Sequence, residues 1–320
     1  MANPSTGLPP SEGKTARSSR ASAGLVFIAG VVIVAMLWIA TNLYGGKPSP
    51  EATGTAQTFA TNSDADADTY KAWGLASLKR QEYRQAIADL SEAIRIAPDD
   101  AEAYYYRARA AFLLGDYQTA LPDLNQAITL RPDYAEAYYY RGATYGVFTL
   151  YDLALTDYTE AIALVPEFPD AYHQRGRVFF LQGNRGQAIL DYTRALELRP
   201  DWGECLYDRG MAYLAQEEYT LAEGDFSAAL SLLPDWGEAY YWRGDARFRQ
   251  DHFPEALRDY NQAIALLPDH APSYHARGLT YRRLGETVKA IADFRQVLTI
   301  TRDPDLVAGA TSQLQELGVP

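Results

Sequence analysis

Residues 137–145 read AYYYRGATY and residues 154–166 read ALTDYTEAIALVP. In both runs apolar or small residues recur at three- and four-residue intervals, the spacing of one face of a helix. The second run ends at Pro166 followed by Glu167, a helix stop with an acid positioned for the next start. The same punctuation recurs along the chain: Pro98, Pro132, Pro166, Pro200, Pro234 and Pro268 stand 34 residues apart. A fixed period of that size signals a solenoid, in which each unit buries its apolar face only by stacking on its neighbours. With the proline at position 32, residues 67–304 divide into seven units; the seventh has Ile300 to Arg302 where the proline falls elsewhere, then Asp303 and Pro304.

Other columns fall into register with the prolines. Position 8 is Gly74, Ala108, Gly142, Gly176, Gly210, Gly244 and Gly278, and position 20 is alanine in all seven units. Position 27 is alanine in six units, with Val297 in the last. Position 24 supplies bulk: Leu90, Leu124, Tyr158, Tyr192, Phe226, Tyr260 and Phe294. Small residues at fixed sites let helix backbones approach closely while the large ones fill between them. With Tyr or Leu at position 4 throughout, residues 67–304 resemble the tetratricopeptide repeat family. The resemblance implies two antiparallel helices per unit, stacked into a right-handed superhelix whose concave groove is lined by the first helices. The residues independently support the helix pair, since Gly115, Gly183 and Gly285 interrupt the apolar pattern near position 15. Residues 305–320 carry Leu306, Ala310, Leu314 and Leu317 on one stripe and are expected to form a capping helix. The expected fold is an all-α solenoid of seven helix pairs with a C-terminal cap.

Ahead of the repeats, Gly24 to Tyr44 runs 21 residues without a charge. At about 1.5 Å per residue this is roughly 31 Å, the thickness of a bilayer's hydrocarbon core. The predicted transmembrane helix is an uncleaved signal anchor; the apolar core of a cleaved signal peptide is shorter, and cleavage would instead yield a secreted soluble module. Residues 1–23 form a basic tail, with Lys14, Arg17 and Arg20 against Glu12. The positive-inside bias keeps that tail in the cytoplasm and places the repeats outside the cytosol, on a single-pass plasma-membrane protein of bacterial type. Residues 45–66 are mostly Pro, Ser, Thr, Ala, Gly and acid and read as a flexible linker.

Composition narrows the function. One cysteine in 320 residues, Cys205, excludes an internal disulfide and a four-cysteine zinc site. The net charge of −12 repels phosphate backbones, so nucleic acid is not an expected partner. His173, His252, His270 and His275 follow repeat register at positions 5, 16, 34 and 5 and share no site. His270 and His275 with Asp269 lack a third clear ligand, so no metal is expected. Glu204 and Asp208 flank Cys205 and discourage a thiolate. No glycine-rich phosphate loop, GxSxG or HExxH occurs, so neither catalysis nor a cofactor is expected.

The candidate site follows from helical arithmetic. With position 2 at zero, positions 2, 5, 9 and 12 of the first helix fall near 280–360° at about 100° per residue, apart from the core stripe at positions 4, 8 and 11. Position 2 supplies Glu102, Glu136, Asp170, Glu204 and Glu238; position 5 supplies Tyr105, Tyr139, His173, Tyr207, Tyr241 and His275. These residues predict a groove with an acidic lip and an aromatic floor, suited to a basic or proline-rich peptide or helix of a protein partner. The competing structural reading makes the acids helix-start charges and the tyrosines covers for their neighbours. Arginine at position 7 (Arg107, Arg141, Arg175, Arg209, Arg243, Arg277) lies near 140°, away from that stripe. It is expected to pair with the aspartate at position 23: Asp123, Asp157, Asp191, Asp225, Asp259 and Asp293 respectively. The resemblance also raises the chaperone-binding carboxylate clamp of some relatives. That clamp needs Asn at position 9 of the first unit, where Leu75 stands, so it is not expected here. The expected function is a membrane-anchored interaction scaffold; the alternative is an accessory subunit of an envelope enzyme complex, binding glycan through its tyrosines.

Overall fold

The structure, a computed structural model, describes residues 65–319. The expected tail 1–23, span 24–44 and linker 45–66 lie outside the described residues, apart from Ala65 and Asp66. Among the described residues there are fifteen α-helices and no strand. Seven antiparallel pairs follow in chain order: α1 (Ala67–Lys79) with α2 (Tyr83–Ile96), α3 (Ala101–Leu114) with α4 (Tyr117–Leu130), α5 (Ala135–Val147) with α6 (Tyr151–Leu164), and α7 (Pro169–Leu181) with α8 (Arg185–Leu198). Then come α9 (Gly203–Ala215) with α10 (Tyr219–Leu232), α11 (Gly237–Arg249) with α12 (Phe253–Leu266), and α13 (Ala271–Arg283) with α14 (Thr287–Ile300). The cap is α15 (Pro304–Glu316). None of these helices is long and apolar enough to cross a membrane.

The turn within each pair is made by one left-handed residue at position 15. Gly115, Gly183 and Gly285 take it as expected, with φ of 86°, 81° and 75°. Gln81, Thr149, Glu217 and Asp251 take it as well, with φ of 62°, 58°, 64° and 60°. The backbone requirement is thus uniform although the residue is not, and the non-glycine turns carry a strain of roughly 1 kcal/mol each. In the first six units the second helix stops before position 32 because proline has no N–H to donate and drives the residue before it out of the helical region. Arg131, ahead of Pro132, still donates its N–H to Ala127 but is extended at φ −135°, ψ 92°.

Small and large columns interlock inside each pair. An added Cβ at Gly176 would lie 2.8 Å from the Tyr192 ring, and one at Gly210 2.9 Å from Phe226. The alanines at position 20, from Ala86 to Ala290, are fully buried, and the aromatics Tyr158, Tyr192, Phe226, Tyr260 and Phe294 are buried with them. Across pairs, first helices touch the first helix of the next repeat, whereas second helices make no comparable contact with one another. A row whose members approach on one side only must curve toward that side, so the first helices line the concave face. At the C-terminal end Ala310 and Leu314 of α15 join the cluster of Ala290, Phe294 and Val297, with Leu306 and Leu317 packed alongside. At the N-terminal end Asp66 caps α1 through Thr69 N–H at 2.9 Å. There Trp73, which stands where the other units carry arginine, is 42% exposed.

Candidate functional site: the concave face

The arginine column is a continuous ladder. In each of six units the guanidinium donates Nε to one oxygen and Nη2 to the other oxygen of the position-23 carboxylate, at 2.7–3.0 Å, in the pairs Arg107–Asp123 through Arg277–Asp293. The sequence did not reveal the remaining hydrogen bond. Nη1 reaches sixteen residues back to position 25 of the preceding second helix: Ser91, Asn125, Thr159, Thr193, Ser227 or Asn261. The signal was present, since all six residues there are small hydrogen-bonding types. A tyrosine at position 4, such as Tyr138 under Arg141 at 5.3 Å, covers the guanidinium face in five of the six units. The guanidinium charge is met by a carboxylate in every one of these units, and Nε, Nη1 and Nη2 each donate to a partner within the fold.

The position-5 aromatics are not the open floor that the helical arithmetic suggested. Five of the six pack against position 34 of their own unit, and most against position 24 as well: Tyr139 lies 5.9 Å from Tyr158 and 5.1 Å from Phe168, and Tyr207 lies 5.6 Å from Phe226 and stacks on Trp236 at 4.4 Å. His173 against Trp202, Tyr105 against Tyr134 and Tyr241 against His270 repeat the motif. Tyr105 and His173 are buried, 5% and 4% exposed, and burial pushes the hydroxyls of Tyr105, Tyr207 and Tyr241 above the usual phenol range. In the first unit the same two positions hold an ion pair instead, Lys71 to Asp100 at 2.8 Å.

The position-2 acids divide by what stands opposite at position 31. Arg131 faces Glu102 at 3.4 Å and Arg199 faces Asp170 at 2.7 Å. In the units of Glu136, Glu204 and Glu238, position 31 is Val165, Leu233 and Leu267, and among the described residues these acids have no ion-pair partner. The leucines set their own condition, because a Cβ at Gly203 or Gly237 would lie 2.8 or 2.6 Å from Leu233 or Leu267.

Where consecutive first helices meet, position 6 of one touches positions 5, 9 and 12 of the one before. At the α3–α5 junction Tyr140 stands 5.8 Å from Tyr105, 5.4 Å from Phe112 and 5.9 Å from the Arg109 guanidinium. At the α7–α9 junction Asp208 holds His173 Nε2 at 2.8 Å and Arg177 Nε at 3.7 Å. At position 9 of α11, burial raises the carboxyl pKa of Asp245, and Arg249 at 3.6 Å offsets it in part. Position 6 was absent from the predicted stripe although it lies only about 40° beyond position 2.

The remaining titratable groups go separate ways. His270 Nδ1 pairs with Ser273 Oγ at 2.7 Å, and burial lowers the His270 pKa to about 4. His275 is lowered likewise and packs on Phe294 and toward Gly309 of the cap. Cys205 is buried, its thiol pushed up first by burial and then by Asp208, and its Sγ lies 3.6 Å from the Tyr192 carbonyl.

A solenoid of identical helix pairs curved around its first helices defines a class of repeat protein, and the comparisons assign its family. Models of the tetratricopeptide repeat match residues 71–135, 114–145, 169–202, 237–270 and 259–292, and a TPR repeat model matches 151–183. Together they take in more than half of the chain, which belongs to the tetratricopeptide repeat family. No curated protein matches it. Among solved structures it is similar to YrrB, described as a TPR protein with an unusual peptide-binding site, at 26% identity and a TM-score of 0.53 over 59% of this chain and 97% of that one. The C-terminal part of a TPR repeat-containing protein from Cytophaga hutchinsonii matches at 22% identity and a TM-score of 0.60, over 74% and 98% of the two chains. A tetratricopeptide repeat protein from Parabacteroides merdae matches at 18% identity and 0.54, over 78% and 98%. The last two share the fold.

Proposed function

We propose that this protein is a membrane-anchored scaffold that docks a segment of a protein partner on its concave face, with the repeats outside the cytosol of a bacterial cell. The observation that carries the docking reading is the set of concave-face charges left without an internal partner, Glu136, Glu204 and Glu238 above all. The fold answers charge with charge at every arginine of its ladder, so acids left over on one face are available to a cation from outside. The peptide-binding site named for YrrB, 26% identical, supports the same use of the fold. The uncharged run Gly24 to Tyr44 and the basic residues before it supply the anchor and its orientation. The intervening 22 residues, 45–66, give the scaffold a root-mean-square reach of roughly 25–28 Å from the membrane.

Two measurements test the proposal in intact cells. A photo-crosslinking residue at Glu136, on the concave face, is expected to capture a discrete partner that the same residue at the exposed Gln187 of α8 does not. Equal capture from both faces removes the groove from the mechanism. External protease is expected to digest the repeats while sparing the tail, and full protection reverses the topology.

A further inference from the structure

Arginine stands at position 9 of a first helix twice, and the two sites differ in whether position 6 of the next first helix offers a carboxylate. At the α7–α9 junction Arg177 is 13% exposed at its side chain and meets Asp208, contributed from position 6 of the next first helix, at 3.7 Å. At the α3–α5 junction Arg109 occupies the same place, but position 6 is Tyr140. The Arg109 guanidinium lies 5.9 Å from the Tyr140 ring, yet among the described residues it has no carboxylate within ion-pair range. Its Nε is buried and without a hydrogen-bond partner. Burial works against the charge, but the tyrosines around it, Tyr140 first, outweigh that cost, so the guanidinium stays charged. A half-buried guanidinium with an orphaned donor is costly unless something completes it. The aromatic surround of Tyr105, Tyr106, Phe112 and Tyr140 supplies the desolvated wall against which an added ion pair is strengthened.

We propose that Arg109 is an anion subsite of the concave groove, taking the side-chain carboxylate of an aspartate or glutamate on the docked partner segment, in the place that Asp208 fills from within two repeats further on. The subsite rests on the docking reading and sharpens it. The partner segment carries an acid at this junction and basic residues where Glu136, Glu204 and Glu238 wait, so recognition depends on the order of its charges. Planar guanidinium and carboxylate pair through two parallel hydrogen bonds, which fixes the partner's register as well as its charge.

The test uses the full chain in detergent micelles and an array of capped nonapeptides with varied apolar flanks and one central aspartate, each beside asparagine and phosphoserine twins. The wild type is expected to bind the aspartate members better than their asparagine twins by on the order of tenfold. Arg109→Gln abolishes the preference, and Tyr140→Asp abolishes it by supplying the acid internally. Asp208→Asn creates a second site of the same preference at Arg177. If the wild type binds the array without regard to the aspartate, or Arg109→Gln keeps the preference, the subsite is overturned while groove docking stands. If no member binds at all, both readings fall. Tighter binding of the phosphoserine twins overturns the carboxylate assignment. Should Tyr140→Asp not fold, Arg109→Gln and Asp208→Asn decide the matter.

Discussion

A single methyl group probes the packing at position 8. Gly176→Ala gains helix propensity worth up to about 1 kcal/mol but drives a Cβ to 2.8 Å from the Tyr192 ring. Overpacking of that kind costs ~1–3 kcal/mol, so chemical denaturation should show a net loss of stability. Adding Tyr192→Leu recreates the Ala108–Leu124 pair of the second unit and should recover much of that loss; no recovery would mean that the ring is not the obstacle. This column was legible in the sequence because glycine against aromatic is written in the residue types themselves. The turn at position 15 was only partly legible. Gly115, Gly183 and Gly285 announce a left-handed residue, whereas Thr149 adopts φ 58° in spite of its β-branch, held there by the helices on either side. The surroundings of the position-5 residues were not legible for a different reason: a helical wheel gives angles about one axis, and the residues that pack on Tyr207 or His173 come from position 34, at the start of the following helix.

At the scale of elements, that following start is where sequence rules and structure part. Asp100 caps α3 with its side chain, accepting from Glu102 and Ala103 N–H, but Tyr134, Phe168, Trp202, Trp236 and His270 begin their helices with no side-chain cap. Position 34 has been given to packing against the position-5 ring of its own unit, which forgoes a cap interaction of about 1 kcal/mol. His270 makes this choice depend on pH. Its folded pKa is lowered to about 4, against an ordinary value near 6.5, because burial disfavours the imidazolium. The unfolded chain therefore takes up the proton first. Stability is whole above about pH 6.5 and falls as the pH drops toward 4, by up to about 3 kcal/mol from this group. His275, lowered in the same direction, adds to the decline. Denaturation midpoints at pH 7.5 and 4.5 should separate clearly in the wild type and less in His270→Phe, since Phe168 holds the same position in another unit. An unchanged separation would remove His270 as a cause.

Over the whole molecule, the period of 34, the helix pairing and the cap could all be read in the sequence, because repetition multiplies a weak signal seven times. The charge code of the groove was harder to read. Which acids are free depends on position 31, and which arginine is free depends on position 6 of the next unit, so both emerge only once the units are stacked. The arginine ladder runs the length of the stack, and its energetics belong to this scale. Arg175→Ala or Asp191→Ala should each cost on the order of 3 kcal/mol by stranding a largely buried charge. The double variant should lose much less than the sum, and additive losses would show that the two side chains act independently.

The ladder also constrains how such a molecule can change. Each guanidinium is tied sixteen residues forward and sixteen residues back, as Arg175 is to Asp191 and to Thr159. Adding or removing one complete unit leaves both distances intact at every surviving arginine. An insertion of any other length within a helix between Thr159 and Asp191 alters one of them and leaves a carboxylate or a hydroxyl facing the wrong turn of its helix. The helices are therefore variable in number only by whole units, and the arginines hold their register fixed.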